Sequence, residues 1–357
     1  PPLLFRRVFG FRMGIVYELS KKYKTLSIVG MAKNAGKTTA LNYLIEEAYD
    51  EGLGIGVTST GRDGESTDVV TGTDKPKVYL FEDTVVSVPE QLYGFAETGL
   101  EILKKTNYRT AMGNVLICRV AASGYVQIAG PGSIAEHKKL CDDMAGYGLD
   151  MIFIDGAIDR KSIAAPESSD AIILATGAVL SRSLKVVVEE TLHIVSLYGS
   201  PVLEDERARA ILSKESRDNY RLLTIDDEYK PHVLKAKTAL SAGPVIDDAI
   251  DEHTKYVYIP GALTPNILDG IEPKKLKSVT IVLPDPTRVF VGAQRWQQLK
   301  KRGMTVKVME DIKVAAVTVN PYAPLGYSFD HDELLSAVRD ALKDIPVFDV
   351  RTGGFEA

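Results

Sequence analysis

The chain has 357 residues, 45% of them hydrophobic and 25% charged, with a net charge of −5 and a sequence pI near 5.7. That length suits about two domains, with one large domain as the alternative, and the composition is that of an ordinary globular protein. The mild acidity implies no broad basic field, which argues against nucleic acid as the main partner. Cys118 and Cys141 have no paired metal spacing and read as buried free thiols of a reducing cytoplasm. No apolar stretch reaches the roughly 18 residues that a membrane span requires.

The opening run FRRVFGFRMGIVYEL sets Arg6, Arg7 and Arg12 among apolar residues. It has no long unbroken apolar core and no clear cleavage site, so it reads as a leading helix packed on the first domain rather than a targeting segment. Next comes Leu26 to Thr39, LSIVGMAKNAGKTT. Leu26, Ile28 and Val29 predict a buried strand that ends at Gly30. Leu41, Leu44, Ile45 and Ala48 predict an amphipathic helix beyond the loop. Strand, glycine loop, Gly36-Lys37-Thr38-Thr39 and helix together form the phosphate-binding P-loop pattern. Unpaired backbone N–H groups at the helix start and the helix dipole attract an anion. Gly36 lets the backbone approach a phosphate, Lys37 is expected to reach the β- and γ-phosphates, and Thr38 to hold Mg²⁺.

The usual motif sets four residues between its glycines. Here Gly30 and Gly36 enclose five: Met31, Ala32, Lys33, Asn34 and Ala35. This variant resembles dethiobiotin synthetase and the cobyric acid amidotransferases, in the branch of P-loop proteins that also holds the MinD and ParA ATPases. The resemblance implies that Gly30, Lys33, Asn34, Ala35, Gly36, Lys37, Thr38 and Thr39 line the nucleotide phosphates. Lys33 lies four positions before Lys37, one short of the spacing of the extra MinD-group lysine, and reads equally well as an exposed loop residue.

Leu53 to Val57 reads as a second buried strand, running into TSTGRDGESTD, residues 58–68. Ligands of open α/β sheets bind beyond the carboxyl ends of strands. Asp63, Glu65 and Asp68 are therefore candidates for holding Mg²⁺ or positioning water, with Asp63 also a catalytic candidate and Arg62 a phosphate or substrate contact. The alternative is a solvated loop. Val78 to Val88 holds two short strand-like runs, and Pro89 to Lys105 reads as a helix. Val115–Ile117 and Val126–Ala129 read as strands. Gly130-Pro131-Gly132-Ser133 then opens a helix, as a second anion site or a plain turn with Ser133 as cap.

Met151-Ile152-Phe153-Ile154-Asp155 carries the second strong signal, the Walker B pattern of four apolar residues and a terminal aspartate. Such a strand is buried and parallel. A carboxylate at its end requires a metal or donor partner, because an unpaired buried charge costs several kcal/mol. Asp155 is thus the expected Mg²⁺ and catalytic carboxylate. Asp159 and Arg160 follow it and read as pocket residues or as a surface ion pair. Asp170–Ala175 is a further strand and Ser181–Leu197 a helix.

Strand and helix alternate to residue ~200, which predicts an α/β fold with a doubly wound, mostly parallel sheet, a P-loop NTPase in three α/β/α layers. Residues 1–200 form this expected domain. Residues 201–357 form a second α/β region, charged and weakly periodic at first, expected to complete the nucleotide site and present a partner surface. Strands are expected at 255–260, 279–284, 304–309, 314–319 and 347–350, with helices at 294–302 and 331–343. The five histidines show no metal spacing.

VTVNP and its following loop resemble the base-binding end of dethiobiotin synthetase, which implies that Asn320 reads adenine; alternatively it closes its own turn. No Asn-Lys-x-Asp guanine reader is present, which favours ATP over GTP. GMAKNAGKTTALNYL, VTSTGRDGE and AVTVNPYAPLGYSFD together resemble the accessory ATPase component of the lysine 5,6-aminomutase reactivase. That resemblance implies ATP-driven exchange of damaged cobalamin, with an aminomutase and a second ATPase as partners. The expectation is therefore an Mg²⁺-dependent cytoplasmic ATPase acting on a protein partner. The alternatives are a small-molecule kinase or ligase and a nucleotide-sensing module. The sequence leaves a homodimer open.

Overall fold

The computed structural model describes residues 14–60, 77–156, 169–218, 221–235, 242–324 and 326–350. The chain divides into two compact units, Pro1–Thr191 with Val314–Ala357, and Leu192–Lys313.

The first unit begins with a short helix, Ile15–Ser20, and β1 (Thr25–Gly30). The helix Lys37–Asp50 follows and buries Ala40, Leu41, Leu44, Ile45 and Ala48, the face its periodicity predicts. Its far end holds the start of the first helix: Glu47 Oε1 accepts from the Val16 N–H at 2.8 Å, and Glu51 Oε1 from Gly14 N–H at 3.2 Å. Then come β2 (Ile55–Ser59), β3 (Val78–Leu80), β4 (Val85–Pro89), β5 (Leu100–Thr110), β6 (Gly113–Val120), β7 (Gly124–Val126), β8 (Met151–Asp155) and β9 (Ala171–Gly177). The helix Ile134–Ala145 lies between β7 and β8.

The helix expected over residues 89–105 does not form. Glu90–Phe95 is a single 3-10 segment, and β5 starts at Leu100. β5 pairs antiparallel with β6 as a long hairpin, and β6 pairs antiparallel with β4. Cross-strand pairing there outweighs the helical spacing of the sequence.

The second unit holds β10 (Leu223–Asp226), β11 (Pro231–Val233), β12 (Thr254–Tyr258), β13 (Thr280–Leu283) and β14 (Thr305–Val308) in the order β11-β10-β12-β13-β14. β12, β13 and β14 are parallel, and β10 runs antiparallel to its neighbours. Trp296 and Leu299 of the helix Ala293–Lys301 join its core.

At Val314 the chain returns to the first unit. β15 (Val314–Asn320) pairs parallel with β9, and β16 (Val347–Asp349) pairs parallel with β15. The expected second region through residue 357 therefore differs from the observed division: the last strands belong to the first sheet. The nine-stranded order is β16-β15-β9-β1-β8-β2-β4-β6-β5, parallel except for the two pairings of β6. Alternation along β8 sorts its two faces. Met151 and Phe153 share a core with the helices Ile15–Ser20 and Lys37–Asp50, whereas Ile152 and Ile154 pack with Leu140 and Met144 of the helix Ile134–Ala145. The fold is thus α/β, with a large, mixed, mostly parallel sheet carrying helices on both faces. Among the described residues no helix is long and apolar enough to cross a membrane.

Candidate functional site

β1 lies between β8 and β9. Its neighbours fix where the following loop starts: the Met31 N–H donates to Ala175 O of β9 at 2.9 Å. The loop then turns through Ala32, whose carbonyl accepts from Ala35 N–H at 3.3 Å. Asn34 and Gly36 are left-handed, with φ of 66° and 97°. Asn tolerates that conformation because its short amide bonds locally, and Gly because it has no Cβ. Gly36 is also the N-cap of the helix Lys37–Asp50, which has no side-chain cap. A Cβ added to Gly36 would sit 3.0 Å from Asn320 Cβ. The helix therefore opens behind a close-packed glycine, with no side chain of its own bonded across its first N–H groups.

The expected site residues divide by position. Lys33, Asn34 and Thr39 are exposed, Gly36, Lys37 and Thr38 are half-buried, and Gly30 and Ala35 are buried. Lys37 Nζ stands 2.8 Å from Asp155 Oδ1, and both side chains are 16% exposed. The same ammonium donates to the Gly156 carbonyl. Register explains the meeting: Ile28 of β1 pairs with Asp155, the last residue of β8, so that carboxylate stands near the end of β1 where the loop begins. Asp155 Oδ1 is buried, and among the described residues no hydrogen-bond donor is aligned on it; its partner is the charge of Lys37.

The end of β2 adjoins the same point. Ser59 Oγ and the Thr60 N–H donate to the Asp155 carbonyl at 3.2 and 3.1 Å. Asp63, Glu65, Arg62 and Asp68, expected in the loop beyond, lie outside the described residues, as do Asp159 and Arg160. Among the described residues no three His, Cys, Asp or Glu side chains cluster to hold a metal. Mg²⁺ takes as few as one or two protein carboxylates and fills its shell with phosphate oxygens and water. Of the two expected Mg²⁺ groups, the Asp155 carboxylate faces the Lys37 ammonium and Thr38 lies half-buried in the first turn of the helix.

Asn320 closes the site from β15. Its Nδ2 donates to Asn34 O at 3.3 Å, and its Oδ1 accepts from the Tyr322 N–H at 3.2 Å. It both touches the 31–36 loop and closes its own turn. The long-range half of that role had no local signal in the sequence.

The other expected anion site is built differently. Ser133 caps the helix Ile134–Ala145: its Oγ accepts from the Glu136 N–H at 3.3 Å and donates to Glu136 Oε2 at 3.2 Å. Ser133 is thus a side-chain N-cap, which is the plain-turn alternative for that residue. Behind it, Gly130 packs so closely that a Cβ would meet Ser59 O at 2.2 Å. Cys118 and Cys141 are buried free thiols, each pushed up to about 12 by burial, which leaves them protonated and inert at neutral pH. No protein-family model, no curated protein and no solved structure matches the chain.

Proposed function

We propose that the chain is a P-loop NTPase that binds Mg·ATP over the 31–37 loop and hydrolyses it. One observation carries the reading: the uncapped helix start behind left-handed Gly36, the Lys37 ammonium and the Asp155 carboxylate converge from two adjacent parallel strands. The parallel order β9-β1-β8-β2 and the helices on both faces support the three-layer P-loop fold.

In this reading the first N–H groups of the helix Lys37–Asp50 and the Lys37 ammonium bind the β- and γ-phosphates. Mg²⁺, held by Thr38 and Asp155, would neutralise phosphate charge when bound. Phosphoryl transfer needs positioning and charge compensation more than covalent chemistry, and a half-buried lysine supplies both. Asn320, fixed against Asn34, is the proposed base contact and favours ATP. Asp63 and Glu65 are proposed water- or metal-positioning groups. Coupling of hydrolysis to a protein partner, with a cobalamin-dependent aminomutase and its second ATPase as the first to try, rests on the sequence resemblance.

Phosphate release from Mg·ATP and Mg·GTP by the full chain and by Lys37→Ala tests the reading. The expected result is slow release from ATP that vanishes in the variant. Release that survives Lys37→Ala unchanged would refute it.

A further inference from the structure

The residues after β15 form a hydrogen-bonded chain that ends on a buried carboxylate. Asp349, at the end of β16, is 1% exposed. Its Oδ2 lies 2.7 Å from Nδ1 of His331, the first residue of the helix His331–Ala341. His331 Nε2 lies 3.0 Å from Tyr322 Oη, and the two rings meet edge-on, 5.4 Å apart at 70°. The Tyr322 N–H donates to Asn320 Oδ1, and Asn320 Nδ2 donates to the carbonyl of left-handed Asn34. A carboxylate only accepts, so His331 Nδ1 carries a proton towards Asp349, and Nε2 bonds the Tyr322 hydroxyl. Every link then has one donor and one acceptor.

Two features set this chain apart from ordinary surface bonding. Tyr322 is 41% exposed, so water would satisfy its hydroxyl without ordering the side chain. Its attachment to His331 costs side-chain entropy. Asp349 is desolvated at the other end, and His331 donates to it. Together they anchor an exposed turn to the sheet core, and that turn carries Asn320, whose side chain bonds the 31–36 loop.

We propose that Asp349, His331 and Tyr322 are positioning residues of the nucleotide site. They hold the Asn320 turn against the 31–36 loop, so that ATP affinity depends on three side chains that need not touch ATP. The proposal rests on the P-loop reading above.

Calorimetric titration of Mg·ATP onto the full chain, Tyr322→Phe, His331→Ala, Asn320→Ala and the Tyr322→Phe/Asn320→Ala double variant tests it. Tyr322→Phe keeps the ring and removes one hydroxyl, so it preserves the fold even where His331→Ala does not. The expected result is ATP binding weaker by ~3- to 10-fold in Tyr322→Phe, the size of one net hydrogen bond. That loss should disappear when Asn320 is already alanine, because the relay then has nothing to position. Unchanged affinity in Tyr322→Phe would overturn the relay, as would a loss that adds in full to that of Asn320→Ala. Absence of ATP binding by the unaltered chain would overturn the nucleotide reading and the relay with it.

Discussion

Two helices of the first unit start after a glycine-bearing turn at the end of a strand, and they start differently. The helix Ile134–Ala145 is closed by its own Ser133, whose Oγ accepts from the Glu136 N–H and donates to the Glu136 carboxylate. The helix Lys37–Asp50 has left-handed Gly36 at the same position and no side-chain cap. Only the second has a cation and a carboxylate facing each other at its mouth, Lys37 from the helix and Asp155 from the neighbouring strand. A glycine turn before a helix is therefore a weak signal by itself. What distinguishes a candidate anion site is that local side chains leave the helix N–H groups unspent while a neighbouring element supplies charge.

The contrast can be broken at four points. Lys37→Ala removes the cation of the uncapped start, and ATP hydrolysis should fall by ~10²–10³-fold, read as phosphate release. The next effect lies in the capped helix. Burial pushes His137 from 6.5 down to about 4, so the folded chain refuses a proton that the unfolded chain takes up. Stability is then full above about pH 6.5 and falls as pH drops through about 4, by ~3 kcal/mol in all. Urea midpoints across that range should show the fall, and His137→Phe should flatten it.

Gly36→Ala places a Cβ in a left-handed residue 3.0 Å from Asn320. The strain is about 1–2 kcal/mol, and ATP affinity measured by titration should weaken by roughly tenfold. Ser133→Ala is the smallest change. It should lower stability in urea by ~1 kcal/mol through loss of the cap, yet leave ATP affinity unaltered. Loss of ATP binding in Ser133→Ala would erase the distinction between the two helix starts.

Much of the local architecture is legible in the sequence. Leu41, Leu44, Ile45 and Ala48 reveal the buried face of their helix because a 3.6-residue period is a local property. The four apolar residues before Asp155 reveal a strand buried on both faces. The rest depends on partners distant in the chain. β5 is half-exposed and lysine-bearing, and only its ladder with β6 makes it a strand. β15 joins the first sheet across the whole second unit, so a boundary drawn by alternation at residue 200 cannot anticipate its return. Asn320 and Asn34 stand 286 positions apart, and nothing in either segment announces the bond. The link from His331 to Asp349 is hidden likewise, since a histidine opening a helix looks the same whether it faces water or a buried carboxylate.

The most direct test of the central claim is calorimetric titration of Mg·ATP onto the unaltered chain and onto Lys37→Ala and Ser133→Ala. The account predicts saturable binding at one site, abolished by Lys37→Ala and unchanged by Ser133→Ala. No binding by the unaltered chain, or equal binding by Lys37→Ala, would contradict it and leave the Gly36-Lys37 turn a structural feature only.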